Sequence, residues 1–458
     1  ATSRINRAEL VFYGWFVVTA VFVVMAVSAG LSFYNLSVYL KAFITQEGFS
    51  ISATSAATAC FFIASGLTGL GVAALIDRFD PRWSISAGAL ISASVVLGAP
   101  YVTSLGQLYL FYVLLGVGHA FCALIPGTTL IARWFARRRS VALSTASTGL
   151  SVGGILITPW SAGLIDRLGF DGAVPWISLV YVLGILPITW ALIRPSPESL
   201  GVGPDGDALQ REEDGTPAQP DGVAFGPAMR SRFFIFCTLA YIFAMMAQVG
   251  ALTHQFRLVA TRTGSDDTGA LAIAVMAGAS IVGRLIGGWA LTYIPSKPFV
   301  QVLMVVQAGA LCFYAISDSA TGLIAASALF GATVGNLLMM QPLILAEAFG
   351  LKAYARIYSV SQLATTLGVA CGPALVGLLN EATESYAAGF YAIAGGSLVA
   401  LTAMSLSGAV SSPLRAEAAR TEAAPSHVSP GQTAARNDRR RALRGDRPPP
   451  ESADPSTR

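Results

Sequence analysis

The sequence has few charged residues: Asp, Glu, Lys and Arg together make up 12% of its 458 residues. A soluble globular chain carries about 25%, so this share cannot cover the surface of a water-soluble protein of this length. The scarcity argues against a soluble enzyme, a nucleic-acid-binding protein and a disordered chain. Hydrophobic residues, at 54%, are abundant enough for a chain that crosses a membrane many times.

Cysteine and histidine are also scarce, with five and three residues. The five cysteines lie in apolar stretches without any Cys-x-x-Cys pair, which argues against a disulfide framework or a zinc site. The apolar stretches also hold no His/Asp/Glu cluster with metal spacing and no Ser-His-Asp set. We therefore expect no enzyme activity, no metal and no cofactor, and a membrane-embedded enzyme or sensor is the least favoured function.

Twelve apolar stretches are long enough to cross a bilayer as helices. They run near 12–36, 52–76, 84–102, 106–131, 140–164, 174–193, 233–256, 268–293, 298–317, 321–346, 355–379 and 386–408. Lipid offers the backbone no hydrogen-bond partner, so each stretch is predicted to be a helix. The expected fold class is an all-α membrane protein with twelve transmembrane helices.

Lys and Arg are distributed unequally between the predicted loops. With a cytoplasmic N-terminus, 24 of the 29 fall in cytoplasmic segments and 4 in external segments. This bias predicts a multi-pass protein of the cell (inner) membrane with both termini in the cytoplasm. The remaining basic residue, Arg284, lies inside a predicted span.

The twelve stretches form two groups of six. The predicted divisions are a cytoplasmic N-terminus at 1–11, an N-terminal bundle at 12–193, a linker at 194–232, a C-terminal bundle at 233–408 and a cytoplasmic tail at 409–458. Pro and Gly mark the linker. The tail is rich in Ala, Pro and Arg and is predicted to be disordered. Its arginines either contact anionic lipid or, as we favour, are solvated and fix the topology.

The two halves share residues at a nearly constant spacing. The matches are Pro159 with Pro373 at 214 residues, and Gly66 with Gly283, Gly71 with Gly288 and Gly118-His119 with Gly335-Asn336 at 217 residues. Parallel six-helix repeats that hold substrate near the midplane are typical of one large group of transporters.

Four motifs carry a family resemblance. They are Tyr13-Gly14-Trp15, the loop Asp77-Arg78-Phe79-Asp80-Pro81-Arg82, the run Arg133-Trp134-Phe135-Ala136-Arg137-Arg138-Arg139, and Gly283-Arg284-Leu285-x-x-Gly288. Over roughly residues 12–408 the sequence resembles the major facilitator superfamily, and within it the monocarboxylate transporter and oxalate:formate antiporter group. The resemblance implies the major facilitator fold of two pseudo-symmetric six-helix bundles and transport by alternating access.

The loop after the second stretch is similar to a gating motif of that superfamily. The resemblance gives Asp77 and Arg78 a role in holding the outward-facing state, although Ala73 replaces the first glycine and Asp80-Pro81 replaces a Gly-Arg pair. The alternative is a charged turn that keeps this loop in the cytoplasm.

Arg284 is the predicted anion-binding residue. An ionised side chain inside a span costs at least about 2.5–3.5 kcal/mol, and a guanidinium matches a carboxylate with two parallel hydrogen bonds. No Asp or Glu lies in the interior of another span to neutralise Arg284. In the resembled group an arginine at this point of span eight binds the substrate carboxylate. The alternative is snorkelling to the interface, about 14 Å away along the helix.

Two departures from the resembled group bear on the substrate and its coupling. Ser280 stands where animal monocarboxylate transporters carry an acid, which puts the proton-coupling role of that acid in doubt. The stretch 355–379 lacks the lysine that the oxalate:formate antiporter carries there, and its only cation is Arg356 at the cytoplasmic end. A single interior cation favours a monocarboxylate over a dicarboxylate.

Six further polar residues are candidates for the substrate site. His119 lies midway along the fourth stretch, and a histidine exchanges a proton near neutral pH, so it is also the candidate for proton coupling. The alternative is a neutral histidine hydrogen-bonded inside the bundle. The other five either line the cavity or join helices, the second being favoured for any one of them: Tyr34, Asn35, Asn336, Gln341 and Gln362.

The predicted function is a secondary active transporter of a small, monocarboxylate-like organic anion across the inner or plasma membrane, with proton symport. The alternative is a major facilitator transporter of a neutral or aromatic solute, such as a drug or a vitamin-like compound. The expected partners are an organic anion, protons and membrane lipid, with no nucleic acid, and we expect a monomer.

Overall fold

The computed structural model describes residues 12–45, 48–49, 51–209 and 222–409. Regular structure in these ranges is helical, apart from one isolated bridge between Gly222 and Gly350. The predicted N-terminal segment 1–11 and the predicted tail from residue 410 lie outside the described residues.

Within the described residues, the first half of the chain contains eight α-helices and two π-helical turns, besides short 3-10 turns. They are α1 (Gly14–Ser28), a π-turn (Ala29–Phe33), α2 (Leu36–Thr45), α3 (Ile51–Arg78), α4 (Pro81–Leu97), α5 (Leu105–Cys122), α6 (Leu124–Trp134), α7 (Arg139–Val152), a second π-turn (Gly153–Ile157) and α8 (Thr158–Leu192). α1 with α2 forms the first span, and α5 with α6 forms the fourth.

Residues 139–192 contain two spans rather than one. Their 54 residues would extend about 80 Å as one helix, whereas the hydrocarbon core is about 30 Å thick. The backbone leaves helical geometry at Gly169, with φ 74° and ψ 169°, a conformation that glycine adopts readily. Phe170 packs on Phe43 near the end of α2, so Gly169 turns the chain back at that end of the bundle.

The second half begins with the short α9 (Phe225–Arg230). Six long helices follow: α10 (Arg232–Thr263), α11 (Asp266–Ala290), α12 (Ser296–Ile316), α13 (Ala320–Phe349), α14 (Tyr354–Thr383) and α15 (Tyr386–Leu406). In the described residues ten helical stretches are long and apolar enough to cross a membrane. The division at Gly169 and the 17-residue α4 bring the crossings to the predicted twelve.

One helix crossing occurs in the same form in both halves. Gly149 and Gly153 on the fifth span lie directly against the backbone carbonyls of Phe22 and Ala26 on α1. On α14, Gly368 and Gly372 lie in the same way against α10. A β-carbon at any of these glycines would collide with the facing backbone, so small residues set this close approach in both bundles.

The two bundles meet toward one end of the molecule. We name this the basic end, because the loops there, 78–80, 135–138 and 350–353, are bounded by Arg and Lys residues; the opposite end carries loops 264–265 and 384–385. Gly66 of α3 packs on Leu363 of α14, where a β-carbon would lie 2.9 Å from Leu363 Cδ1. α7 and α11 form the second main contact between the bundles.

The predicted linker is attached to both bundles. Near its start, Asp205 Oδ2 accepts hydrogen bonds from the backbone N–H groups of Ala136 (2.9 Å) and Arg137 (2.7 Å), just before α7. Near its end, the Val223 N–H donates to the Phe349 carbonyl at the end of α13 (2.8 Å). Each described end of the linker is therefore fixed to a different bundle.

Candidate functional site

Arg284 is buried between three helices. The residue is 2% exposed, and its Nε donates a hydrogen bond to the Gly335 carbonyl of α13 (3.0 Å). Its Nη1 donates to the Ser147 carbonyl of α7 in the other bundle. The guanidinium thus points into the protein, and the snorkelling alternative for Arg284 is wrong.

Glycines beside Arg284 bring the neighbouring helices close. A β-carbon at Gly283 would lie 2.9 Å from the backbone of Ala332 on α13, and one at Gly288 would overlap the Ser144 side chain on α7. Without side chains at these positions, α11 reaches both neighbours. This close packing places the guanidinium within hydrogen-bonding distance of backbone carbonyls on each side.

The charge of Arg284 is held by neutral groups. Among the described residues no carboxylate forms an ion pair with it. Its two hydrogen bonds go to the carbonyls of Gly335 and Ser147, and Nη2 forms none in the part of the chain that the structure describes. Among those residues, the groups that hold the guanidinium are therefore uncharged backbone carbonyls.

Tyr34 packs on the fifth span, which Arg284 also contacts. Its ring lies against the backbone of Gly154, where a β-carbon would lie 3.0 Å from Tyr34 Cδ2, seven residues after Ser147, whose carbonyl accepts a hydrogen bond from Arg284. Tyr34 directly follows the π-turn of the first span, and the second π-turn faces it from the fifth span. Such turns are frequent at functional sites, and here they place Tyr34 on the Arg284 side of the N-terminal bundle.

His119 lies inside the N-terminal bundle, away from the guanidinium. Its Nδ1 is 3.1 Å from the Ser28 hydroxyl of α1, and its ring centroid is 5.3 Å from that of Phe61 on α3. His119 is half-buried. The position is compatible with both interpretations, proton exchange and a structural hydrogen bond.

Asn35 and Gln341 join helices within their own bundles. Asn35 is fully buried and accepts a hydrogen bond from the Ser161 hydroxyl on α8 (2.6 Å). Gln341 Nε2 donates to the hydroxyl groups of Ser361 (2.9 Å) and Thr365 (3.0 Å), both on α14. These contacts favour the helix-joining role for both residues.

Asn336 contacts the helix of Arg284 but not its guanidinium. Its Nδ2 donates to the carbonyl of Gly283 (2.8 Å) and to that of Ala332 in its own helix (2.9 Å). Gln362 is half-buried on α14, next to the Leu363 contact with the other bundle. The structure thus places Tyr34 on the fifth span that Arg284 also contacts and Asn336 against the helix of Arg284, puts Gln362 beside the α3–α14 contact, and leaves His119, Asn35 and Gln341 in bundle interiors.

The two predicted gating residues differ in their surroundings. Asp77 lies 3.5 Å from Arg133 at the end of α6, and the charge of Arg356 on α14, in the other bundle, also acts on it. Arg78 is exposed and forms no ion pair within the described ranges. The arrangement favours a gating role for Asp77 alone.

Asp80, which departs from the family motif, has a local role. It caps α4 by accepting the Arg82 backbone N–H (2.9 Å) and pairs with the Arg82 guanidinium at 2.5 Å. Burial works to raise the pKa of the Asp80 carboxyl, but the hydrogen bonds and the charge of Arg82 outweigh it and lower the pKa below its usual value. Proline at the first helical position suits this cap.

Sequence reasoning missed Ser147 and a pair of arginines at the basic end. Ser147 acts through its backbone carbonyl, so its side chain gives no signal. Arg139, at the start of α7, is influenced by the charge of Glu347 on α13, just as Arg356 influences Asp77. Arg139 and Arg356 are separated by 217 residues, the spacing that relates the two halves, and this repeat could have identified them.

Comparisons with known proteins agree with this architecture. The family model for the Major Facilitator Superfamily matches residues 22–320 and 256–447. Monocarboxylate transporter 13 of Bos taurus is 28% identical over 334 residues, which cover 71% of this chain and 73% of that protein. The MFS transporter asaE of Aspergillus flavus is 24% identical over 319 residues, which cover 69% of this chain and 68% of that protein.

Solved structures show the same fold at low identity. The E. coli fucose:proton symporter has a TM-score of 0.65 at 13% identity, covering 86% of this chain and 98% of that one. The human organic anion transporter MFSD10 has a TM-score of 0.63 at 14% identity, covering 85% and 99%.

Proposed function

The chain belongs to the Major Facilitator Superfamily, and on that premise we propose that it transports a small, monocarboxylate-like organic anion. In this proposal it is a secondary active transporter that works by alternating access with proton symport. Its curated relatives include proteins named monocarboxylate transporters, which supports the substrate class.

The main support for the proposal is the set of hydrogen-bond partners around the buried Arg284 guanidinium. A buried charge is stable only when it is paired or well hydrogen-bonded, and Arg284 has two neutral carbonyl partners. A carboxylate would bind through Nη2 and by replacing the Ser147 carbonyl at Nη1, which gives the bidentate geometry that guanidinium favours. Tyr34, on the same side, would contact the ligand next to the carboxylate.

The same hydrogen bond connects ligand binding to the movement of the bundles. Arg284 belongs to the C-terminal bundle and Ser147 to the N-terminal bundle, so a carboxylate that takes Nη1 removes one link between them. A ligand shifts a conformational equilibrium only by its different affinity for the two states. The loss of this link on binding supplies such a difference.

The positions of the contacts support a state closed at the basic end. Arg284, Gly66 and Asp77 each interact with the other bundle between that end and about the middle of the helices. By the positive-inside bias the basic end is cytoplasmic. We therefore assign this conformation to the outward-facing half of the transport cycle.

His119 is the proposed proton site. It lies half-buried with its Nδ1 next to the Ser28 hydroxyl, and an imidazole nitrogen can take up and release a proton. Protonation there would couple the movement of the anion to a proton gradient.

A second candidate function is transport of a neutral aromatic solute. Phe33 and Tyr34 are 39% and 38% exposed, and exposed rings near the bundle interface would suit such a ligand. Transport of an anion requires the cation at position 284, whereas transport of a neutral solute does not.

The test is uptake by purified protein in proteoliposomes, with labelled lactate and labelled benzoate as probes. We expect Arg284→Ala to abolish uptake of the transported acid, while Arg230→Ala, at an exposed arginine in the linker, leaves it unchanged. Both variants must elute as monodisperse protein. Uptake by Arg284→Ala at the wild-type rate would contradict the anion proposal.

A further inference from the structure

We propose that the transported anion is an aromatic monocarboxylate, whose carboxylate binds Arg284 and whose ring packs on Tyr34, Phe33 and Phe62. We name these three side chains the aromatic row. The inference rests on the proposed function and narrows its substrate class.

The rings of the row contact each other edge to face. The Tyr34 and Phe33 centroids are 5.0 Å apart with an interplanar angle of 87°. The Phe33 and Phe62 centroids are 5.9 Å apart at 82°. These are favoured arrangements for aromatic pairs, so the row forms one continuous apolar surface from the end of the first π-turn to α3.

The row faces the cleft between the bundles. Phe62 lies one turn from Gly66 on α3, and residues four apart share a helix face. Gly66 packs on Leu363 of the other bundle, so that face of α3 is directed at the C-terminal bundle. Phe33 contacts Phe62 and therefore lies on the same side.

The row begins at the right depth for a ligand bound to Arg284. Arg284 contacts α7 at Ser147, whereas Tyr34 packs on Gly154, seven residues further toward the opposite end. Seven helical residues extend about 10 Å. Arg284 and Tyr34 therefore reach the same span of the N-terminal bundle, and in this proposal a ligand anchored by its carboxylate at Arg284 extends along that span toward the row.

The apolar surface of the aromatic row favours a ligand that contains an aromatic ring. Phe33 and Tyr34 remain substantially exposed in this conformation, although aromatic side chains gain most from burial. A short acid such as acetate would bind Arg284 and leave the row uncovered. A benzoate-like acid would cover it and would combine one charged anchor with an apolar surface, as small-molecule sites commonly do.

The test measures binding of acetate, benzoate and benzamide to the full chain in nanodiscs by isothermal titration. We expect benzoate to bind at least about tenfold more tightly than acetate, and benzamide, its neutral counterpart, to bind at least tenfold more weakly than benzoate. The double variant Phe33→Leu/Phe62→Leu should lower the affinity for benzoate by about five- to tenfold and leave the affinity for acetate unchanged. The matched control is Phe16→Leu, at a ring on α1 that is 44% exposed and lies outside the row. This variant should leave the affinities for benzoate and acetate unchanged.

The other possible outcomes each contradict either the aromatic proposal alone or both proposals. Equal affinities for acetate and benzoate, or equal weakening of both by the double variant, would contradict the aromatic proposal and leave the anion function in place. Benzamide binding as tightly as benzoate, or no binding of either acid, would overturn the anion function and the aromatic proposal together. Thermal unfolding of each variant, compared with wild type, separates loss of binding from loss of fold.

Discussion

Arg284 on α11 donates a hydrogen bond from Nη1 to the backbone carbonyl of Ser147 on α7, across the interface of the two bundles. The side chain with the predicted anion-binding role is therefore also a structural link between the halves that must move. Next to it, Gly288 lies against Ser144, where even a β-carbon does not fit. Removal of the arginine should therefore affect both binding and conformation.

We predict that Arg284→Met opens the α7–α11 contact in the absence of any ligand. Ser144 is 1% exposed and covered by α11, so a cysteine in the Ser144→Cys variant should react slowly with a small, charged thiol reagent. In the double variant Ser144→Cys/Arg284→Met, labelling should be several-fold faster because one link between the bundles is lost. The measurement is the labelling rate of purified protein.

The background comes from the five native cysteines, of which Cys371 is exposed. Labelling of the parent protein and of Arg284→Met alone gives this background and is subtracted. Equal rates with and without Arg284 would show that its bond to Ser147 does not hold the bundles together.

A second prediction concerns proton coupling through His119. If His119 carries the proton, uptake of the acid into proteoliposomes should rise as the external pH is lowered, and His119→Gln should remove this dependence. His254→Gln is the control, since His254 lies in the other bundle with its Nε2 3.0 Å from the Pro373 carbonyl. A pH profile of His119→Gln that matches wild type would leave His119 with a structural role only.

A third prediction concerns the stability of the linker attachment. Asp205→Ala removes the carboxylate that accepts three backbone N–H groups before α7, and loss of such a cap costs about 1 kcal/mol. Alanine also tolerates the φ of 56° at this position less well than aspartate. We expect the Tm to fall by about 1–2 °C in scanning calorimetry or dye-based unfolding.

Asp207→Ala is the matched control. Asp207 forms an ion pair with Arg137 (2.8 Å) in which both side chains are more than half exposed, and such pairs contribute little to stability. The Tm of the Asp207→Ala variant should stay close to that of the wild-type protein. A larger fall for Asp207→Ala than for Asp205→Ala would contradict the capping role.

Much of the fold was predictable because lipid restricts the backbone to few structures. The apolar stretches predicted twelve helices, and the glycines at fixed spacing predicted a repeat, since only small residues allow the close approaches seen at Gly66 and Gly283. The turn between the fifth and sixth spans was also predicted, between residues 164 and 174, and the structure places it at Gly169. The exact residue was not predictable, because glycine, which readily adopts a positive φ, is frequent in this chain.

The site was predictable only in part. Arg284 could be singled out because a lone cation in an apolar span is rare and costly. Its partners could not, because they are the backbone carbonyls of Gly335 and Ser147, and every residue carries such a group. Polar side chains such as Asn35 and Gln341 have the same sequence signal whether they face a cleft or a neighbouring helix, and here they join helices.

The sequence by itself determined the membrane-spanning fold, the family and the choice of one cation in a span as the candidate site, because hydropathy and charge are properties that each residue carries into any structure. The tertiary structure decided what surrounds that cation. It joined Arg284 to the other bundle, packed Tyr34 on Gly154 of the fifth span and placed Phe33 against Phe62. These relationships depend on how helices distant in sequence pack together, and packing distances are fixed only when the whole bundle has formed.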